Sequence, residues 1–227
     1  MSKAYDLATD FIRHLYDRRI SDPPVFDMAE RFPESEHFIA AWPALRDEAL
    51  ELAKNLQQVP RFHELMASQA EISANDNRDW RMFVLKAYGV PFRKNMDKCP
   101  VLAGLVESVP DVLTATLSFL APHKHIPRHR GPFRGVLRFY LGLSVPLAED
   151  GRPATVLNID DVEHRIADGE ALLWDDTFPH EIWNRSDSSR IALLLDVRRR
   201  GMPLDLTLLS NMLVRSVGTA VRLRRVV

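Results

Sequence analysis

The sequence has little cysteine, no long apolar run and no excess of charge of either sign. Its one cysteine, Cys99, excludes an internal disulfide and the zinc sites built from several cysteines, and it fits a reducing compartment. The chain contains no run of about 18 apolar residues and no apolar signal-peptide core at its start. We therefore expect a cytoplasmic protein without a transmembrane segment.

The formal net charge of −1 at pH 7 provides no global positive field that would recruit nucleic acid or an anionic membrane. We therefore expect no nucleic acid among the partners. The 227 residues are 46% apolar and 27% charged, which is enough apolar material for a sizeable core. One compact domain with extensions is the expectation.

Apolar residues at helical spacing predict helices near both ends of the chain. The first covers residues 4–16, and the second runs from Ser35, a candidate cap, to Leu56, before Pro60. A third amphipathic helix with a basic end is predicted at 204–227, docked on the domain or a partner. Peripheral membrane contact is the less favoured alternative for it. The predicted sections are an N-terminal helical section at 1–72, a core at 73–200 and a C-terminal amphipathic segment at 201–227.

The middle of the chain changes to a period of two, which is typical of strands. Short, turn-separated runs of this kind lie at residues 80–87, 113–120, 136–143, 155–159, 162–166, 171–174 and 190–197. Seven short strands after a helical section predict a mainly β protein with flanking helices. The pattern favours a β-sandwich or jelly roll over a parallel α/β sheet.

Histidines cluster directly before the predicted strand at 136–143. His123, His125 and His129 lie within seven residues, and His180 follows another predicted strand. Imidazoles from two strand ends can converge at the mouth of a jelly roll, so metal binding is a serious hypothesis. The alternative is that these histidines are ordinary surface residues of loops.

The predicted strands also divide into one apolar and one polar face. Arg138 and Tyr140 oppose the apolar side of 136–143, Arg190 and Asp196 oppose that of 190–197, and Ser118 lies on the polar side of 113–120. Two arginine forks beside a histidine metal site suit a dicarboxylate that also chelates metal, such as 2-oxoglutarate. The alternative is a sheet face exposed to solvent.

Three blocks carry a resemblance to a known family: residues 125–132 (HIPRHRGP), 137–143 (LRFYLGL) and 174–184 (WDDTFPHEIWN), followed by Arg190 and Asp196. Together they resemble the aspartyl/asparaginyl β-hydroxylases, which are Fe(II)- and 2-oxoglutarate-dependent dioxygenases. The resemblance covers about residues 80–197. It implies a double-stranded β-helix, the jelly roll of cupin-like proteins.

The resemblance also implies roles for individual residues. His129 and His180 correspond to the iron ligands. Gly131 stands where most related oxygenases carry a carboxylate ligand, and the aspartyl/asparaginyl β-hydroxylases also have glycine there. Arg190, helped by Ser118, corresponds to the residue that binds the distal carboxylate of 2-oxoglutarate. The cosubstrate site is completed by Arg138, near the other carboxylate, and Tyr140, which replaces the usual histidine.

The two neighbouring carboxylates Asp175 and Asp176 have two interpretations. Either they orient an iron histidine or supply an unexpected ligand, or they serve turn formation. His123 and His125 have no matching family role and are expected to face solvent.

The expected activity is a hydroxylation that uses Fe(II), 2-oxoglutarate and O2. The first choice of substrate is the β-carbon of an aspartyl or asparaginyl unit in a free, peptidyl or carrier-bound form. A lipid acyl chain is the second choice. The alternative from another class is a non-catalytic jelly-roll protein that binds a metal or an organic acid.

Overall fold

The computed structural model describes residues 3–224, and side chains from 10 to 223. The nine α-helices of these residues are α1 Lys3–Asp17, α2 Met28–Arg31, α3 Ser35–Ala40, α4 Trp42–Ala53, α5 Phe62–Leu65, α6 Ala70–Ser73, α7 Arg93–Met96, α8 Pro100–Ser108 and α9 Leu204–Arg224. The strands are β1 Val25–Phe26, β2 Trp80–Ala87, β3 Val90–Pro91, β4 Val112–Leu120, β5 His125–His129, β6 Val136–Ser144, β7 Thr155–Ile159, β8 Val162–His164, β9 Ala171–Trp174, β10 His180–Asn184 and β11 Arg190–Arg198.

The strands form two antiparallel sheets. The large sheet has the order β1-β9-β6-β11-β4-β2-β3, and the small sheet has the order β5-β10-β7-β8. From β4 to β11 the chain passes back and forth between the sheets, since β4, β6, β9 and β11 belong to one and β5, β7, β8 and β10 to the other. This alternation is that of a jelly roll, a double-stranded β-helix, and it confirms the predicted fold class.

Strand prediction from alternation agrees closely with the observed strands. β2, β7 and β9 have the predicted bounds, β4, β6 and β11 each extend one residue further, and β8 stops at His164. The short strands β1, β3, β5 and β10 were not predicted. β5 contains Pro127, which is tolerated because β5 lies at the edge of the small sheet.

The helix predicted from Ser35 to Leu56 is divided in two. α3 ends at Ala40 and α4 begins at Trp42, with Pro43 in its first turn. Proline has no backbone N–H to donate to the preceding turn, so it starts a new helix at this point. Ser35 is buried inside the first turn of α3 and does not cap it, which corrects the predicted capping role.

The main apolar core lies between the large sheet and the helices α3, α4 and α8. It contains Phe38 and Leu45 from the helices and Leu117, Phe139 and Leu193 from the strands. A second, smaller cluster fills part of the space between the two sheets, which we call the lumen. Its members are Tyr140, Leu157, Ile159, Ile166, Trp174 and Ala192.

The helix predicted at the C-terminus is α9, and it packs against α1 and the large sheet. The Tyr16 hydroxyl of α1 lies 2.8 Å from Ser210 Oγ, and Val214 packs with Leu113 and Val136. Residues 225–227 of the predicted helix lie outside the described residues. Within residues 3–224, no helix combines the length and apolar character needed to cross a membrane.

Candidate active site

The jelly roll places His129 and His180 directly opposite each other on the neighbouring strands β5 and β10. Their ring centroids are 4.1 Å apart. Each ring is oriented through Nδ1, which lies 2.7 Å from Pro127 O in His129 and 2.9 Å from Phe178 O in His180. A carbonyl only accepts, so each Nδ1 carries the proton and each Nε2 keeps its lone pair.

Both imidazoles are held in the neutral form that metal coordination requires. Burial lowers the pKa of His129 to about 4, and the positive charge of Arg138 acts in the same direction. Burial also lowers the pKa of His180 well below its usual value. The indole of Trp174 packs edge-on against His180 with 4.4 Å between ring centroids, which fixes the ring from a second side.

No carboxylate of the described residues completes this pair of histidines. Among residues 3–224, no group of three or more histidine, cysteine, aspartate or glutamate side chains has an arrangement suited to a metal ion. At Gly131, a Cβ atom would lie 2.1 Å from Asp176 Oδ1, and the Gly131 N–H donates to the Asp176 carbonyl over 2.7 Å. The Asp176 carboxylate therefore fills the space into which a side chain at 131 would project.

Asp176 is tied to Arg138 across the lumen face of the large sheet. Arg138 Nη2 lies 3.1 Å from Asp176 Oδ2, and its Nε and Nη2 donate to Asp196 Oδ1 over 3.0 and 2.8 Å. Burial raises the pKa of Asp176 to about 6, even though Arg138 opposes the shift. The Arg138 guanidinium thus already binds two carboxylates of the protein itself.

Asp175 belongs to a separate buried network that sequence reasoning missed. Its Oδ2 accepts from Arg134 Nε over 2.9 Å and from Arg199 Nη1 over 2.7 Å, and its Oδ1 accepts from both the N–H and the hydroxyl of Thr177. Asp175 therefore combines turn formation with a buried ion-pair network. Neither arginine partner carries a sequence signal, because both lie far from Asp175 along the chain.

Arg190 brings a buried positive charge into the lumen. Its Nη1 donates to Ser118 O over 3.3 Å and lies 3.2 Å from Ser118 Oγ, and its guanidinium carbon lies 5.5 Å from the centre of the Tyr140 ring. Its Nε has no hydrogen-bond partner, and none of the described carboxylates forms an ion pair with it. Burial accordingly lowers the pKa of Arg190.

Ser118, Tyr140 and Trp174 surround this charge. Ser118 Oγ accepts from Trp80 Nε1 over 3.1 Å, which orients the hydroxyl beside Arg190. Tyr140 and Trp174 belong to the lumen cluster, and the buried Trp174 Nε1 also lacks a hydrogen-bond partner. Trp174 was not among the predicted site residues, although it begins the third block of the family resemblance.

The other two clustered histidines do not join the pair. His123 is exposed and lies 2.7 Å from Asp187 Oδ1, as expected for a surface residue. His125 differs from the expectation, because it is half-buried and stacks on Trp183 with 4.5 Å between centroids and 2° between planes. Its Nε2 lies 3.3 Å from Glu181 Oε2, so it belongs to a local cluster on β5 and β10.

Residues 39–200 match the family described as aspartyl/asparaginyl beta-hydroxylase. The ornithine lipid ester-linked acyl 2-hydroxylase of Rhizobium tropici is 35% identical over 178 residues, which are 78% of this chain and 61% of that protein. The aspartyl/asparaginyl beta-hydroxylase of Homo sapiens is 26% identical over 178 residues, which are 71% of this chain and 22% of that protein. A crystal structure of a predicted oxalate decarboxylase from Thermotoga maritima aligns with 53% of this chain and 81% of its own, at 14% identity and a TM-score of 0.34.

This chain therefore spans less than two thirds of the length of these two curated relatives. The family match, in contrast, covers most of the chain, and it includes His129, His180, Arg138 and Arg190. On this basis the chain belongs to the aspartyl/asparaginyl β-hydroxylase family of hydroxylases.

Proposed function

We propose that this protein is an Fe(II)- and 2-oxoglutarate-dependent dioxygenase that hydroxylates an unactivated C–H bond. The observation that carries the proposal is the buried charge of Arg190, which forms no ion pair with any described residue. Arg190 contacts Tyr140 and His180 contacts Trp174, so the charge and the neutral histidine pair adjoin the same lumen cluster. A buried cation without a counter-ion costs free energy unless an anion binds to it. A dicarboxylate that also chelates a metal would satisfy both parts of the site.

The residues present fit an iron centre of this kind. The Nε2 atoms of His129 and His180 would hold the metal, because the Nδ1 atoms are occupied by backbone carbonyls. Imidazole is a suitable ligand for Fe(II), and two protein ligands leave several positions for other donors. When bound, iron with 2-oxoglutarate and O2 supplies the oxidising chemistry.

The protein positions the groups around that centre. Arg190 and Ser118 would bind the distal carboxylate of 2-oxoglutarate, and the orphaned Arg190 Nε would gain an acceptor. The Asp176 carboxylate, which is held by Arg138, fills the space beside Gly131. Position 131 would therefore supply no side-chain ligand to the metal. Tyr140 and Trp174 would exclude water from the lumen, and Tyr140 would line the cosubstrate site where relatives carry histidine.

For the substrate, we propose an acyl chain of a lipid as the first candidate. The support is the relative from Rhizobium tropici, whose identity with this chain is 35% against 26% for the human protein. This order reverses the expectation from the sequence alone. An aspartyl or asparaginyl β-carbon is the second candidate, supported by the name of the human relative.

Anaerobic titration of the purified protein with Fe(II) and 2-oxoglutarate tests the cofactor assignment. We expect a weak visible charge-transfer band, and formation of succinate after O2 is admitted. His125→Ala is the matched control, because its half-buried imidazole lies on the same strand as His129 but outside the pair. A band without succinate would favour a non-catalytic jelly-roll protein, and the absence of both would contradict the proposal.

The substrate is tested by mass spectrometry of reaction mixtures. The enzyme is incubated separately with a total lipid extract and with a peptide extract, with and without 2-oxoglutarate. A 2-oxoglutarate-dependent gain of one oxygen atom on a lipid acyl chain is the expected result. The same gain found only on aspartyl or asparaginyl residues would replace the first candidate by the second.

A further inference from the structure

The helices α1 and α9 expose a set of large apolar side chains, which we call the α1/α9 face. The exposed fractions are 63% for Phe11, 74% for Leu204, 60% for Leu208 and 57% for Met212, and Leu15 is exposed as well. Residues four apart share one side of a helix, so Leu204, Leu208 and Met212 form one line on α9. Phe11 and Leu15 form a corresponding line on α1.

The two helices lie side by side, and their inner sides are already occupied. Tyr16 contacts Ser210, and Arg19 Nη1 lies 2.9 Å from Asp205 Oδ2 at the same seam. Tyr16, Ile20 and Leu206 form the buried cluster beneath them, and Ile12 and Leu209 pack against it. The exposed apolar lines therefore lie on the sides of α1 and α9 that face away from this buried cluster.

The charge around this face is positive. Among the described side chains of the two helices, the acidic ones are Asp10, Asp17 and Asp205, and each is paired with an arginine. Three exposed arginines have no ion pair within the described part of the chain, namely Arg18, Arg215 and Arg222. Apolar side chains interspersed with unpaired arginines are typical of helices that lie in the interface of an anionic membrane.

We propose that the α1/α9 face docks on the surface of an anionic phospholipid bilayer. Burial of several large apolar side chains in the acyl boundary would be favourable, and the unpaired arginines would contact lipid phosphates. A second copy of the chain fits this face less well, because a two-fold contact would bring like charges together. Membrane docking does not depend on the catalytic activity. Docking could also present a lipid acyl chain to the active site, and this second role rests on the proposed function.

The helix pair is directly connected to the histidine site. Arg13 Nη2 of α1 lies 3.3 Å from Gly131 O, two residues after His129. Phe133 packs edge-on against Tyr16 with 5.6 Å between ring centroids, and Arg134 Nη1 donates to Asp17 Oδ1 over 2.6 Å. The segment 130–134 is thus held between α1 and the site, so docking through α1 and α9 would bring a bilayer to the side of the molecule where this segment lies.

Co-sedimentation of the full chain with vesicles tests the proposal. We expect binding to mixed phosphatidylglycerol and phosphatidylcholine vesicles, weaker binding at high salt, and little binding to pure phosphatidylcholine. The double variant Leu208→Glu/Met212→Glu should lose at least about tenfold in affinity, because two charges would enter the acyl boundary. Leu147→Glu/Val162→Glu is the matched control, since these residues are 63% and 56% exposed outside α1 and α9.

A second variant, Arg215→Glu/Arg222→Glu, changes charge but not apolar area and should weaken binding to the anionic vesicles alone. Thermal unfolding and succinate formation in the absence of vesicles are measured for every variant, and both should stay as in the wild type.

The proposal is overturned if the wild-type protein does not bind anionic vesicles. It is also overturned if Leu208→Glu/Met212→Glu and Leu147→Glu/Val162→Glu bind the vesicles equally. A concentration-dependent dimer that only Leu208→Glu/Met212→Glu disrupts would also overturn it, in favour of a second copy. Absence of succinate from the wild type would contradict the proposed function and leave vesicle binding as a separate result.

Discussion

The two faces of the large sheet differ sharply although the same strands form both. On β6, Phe139 points into the apolar core under the helices, whereas its neighbour Tyr140 lines the lumen. On β11, Leu193 belongs to the core, whereas Arg190 carries an unpaired charge beside Ser118. Because successive side chains of a strand point to opposite sides, one run of sequence serves stability on one face and chemistry on the other.

The two faces also differ in whether their buried polar atoms have hydrogen-bond partners. The core face is apolar and closely packed against α3, α4 and α8. The lumen face contains buried donors without acceptors, at Arg190 Nε and Trp174 Nε1. Unsatisfied buried polar groups lower the stability of the ligand-free protein, and they are tolerated where a ligand supplies the missing partners. Mutations should therefore separate stability from activity according to the face they change.

The largest expected effect on activity is at the lumen. Changing His129 or His180 to Ala should reduce succinate formation from 2-oxoglutarate to background, because each change removes one of the two expected metal ligands. The free energy of unfolding should change little compared with mutations in the core. His125→Ala should keep most of the activity, and an equal loss in that control would remove the distinction between the pair and its neighbour.

The largest expected effect on stability is at the core face. Phe139→Ala should lower the free energy of unfolding by about 3–5 kcal/mol, the usual cost of a large-to-small change in a packed core. Tyr140→Phe, at the adjacent position, should cost less than about 1.5 kcal/mol because ring volume is nearly conserved. Urea denaturation measures both. Similar losses in the two variants would show that the faces do not divide stability as the packing indicates.

Replacement of Arg190 should weaken 2-oxoglutarate binding and at the same time stabilise the ligand-free protein. Arg190→Met should weaken 2-oxoglutarate binding by about 2–5 kcal/mol in a calorimetric titration. It should also raise the unfolding free energy of the ligand-free protein by about 1 kcal/mol or more, since a buried charge without a counter-ion is removed.

Arg134→Met is the matched control for a paired buried arginine. Its guanidinium binds Asp175 and Asp17, so its loss should destabilise the protein by about 3–5 kcal/mol. If Arg190→Met and Arg134→Met destabilised the ligand-free protein equally, the proposal that Arg190 binds an anionic ligand would be contradicted.

Sequence periodicity predicted the longer strands of the large sheet, because apolar and polar side chains alternate along them. It missed β1 and β3, which have two residues each and are too short to show a pattern. The period of two in 136–143 and 190–197 is the direct imprint of an apolar face packed on helices. β5 and β10 escaped prediction, since β5 carries polar side chains around Pro127 and β10 begins directly after Pro179. These two short strands bring His129 and His180 together. The contact between the two histidines therefore depends on the strands with the weakest alternation of apolar and polar residues.

The pairing of charges was also beyond the reach of a single sequence. The polar face suggested that Arg138 and Arg190 act alike, yet Arg138 binds Asp176 and Asp196 whereas Arg190 binds no carboxylate among the described residues. Local patterns place a residue on a face, but they do not state which distant side chain meets it. The family resemblance supplied the expectation that two of the histidines bind metal, which periodicity alone left open.

The smallest expected effect compares one glycine from each side of the large sheet. Gly104 lies in α8 on the core side, where an added Cβ would meet no atom within 4 Å, so Gly104→Ala should stabilise the protein by about 0.5–1 kcal/mol through helix propensity. Gly131 lies beside the lumen, where the same methyl group would come within 2.1 Å of Asp176 Oδ1. Asp176 is held by Arg138, so Gly131→Ala should cost about 1–3 kcal/mol. The clash should also shift the backbone two residues after His129 and so weaken iron binding. Aspartate at this position would meet the same obstacle and place two carboxylates together, so it should not restore a third ligand. Thermal unfolding and Fe(II) titration of the two alanine variants measure the contrast. If Gly131→Ala were as harmless as Gly104→Ala, the Asp176 carboxylate would not fill the space beside the histidine pair, and the absence of a protein carboxylate ligand would need another physical cause.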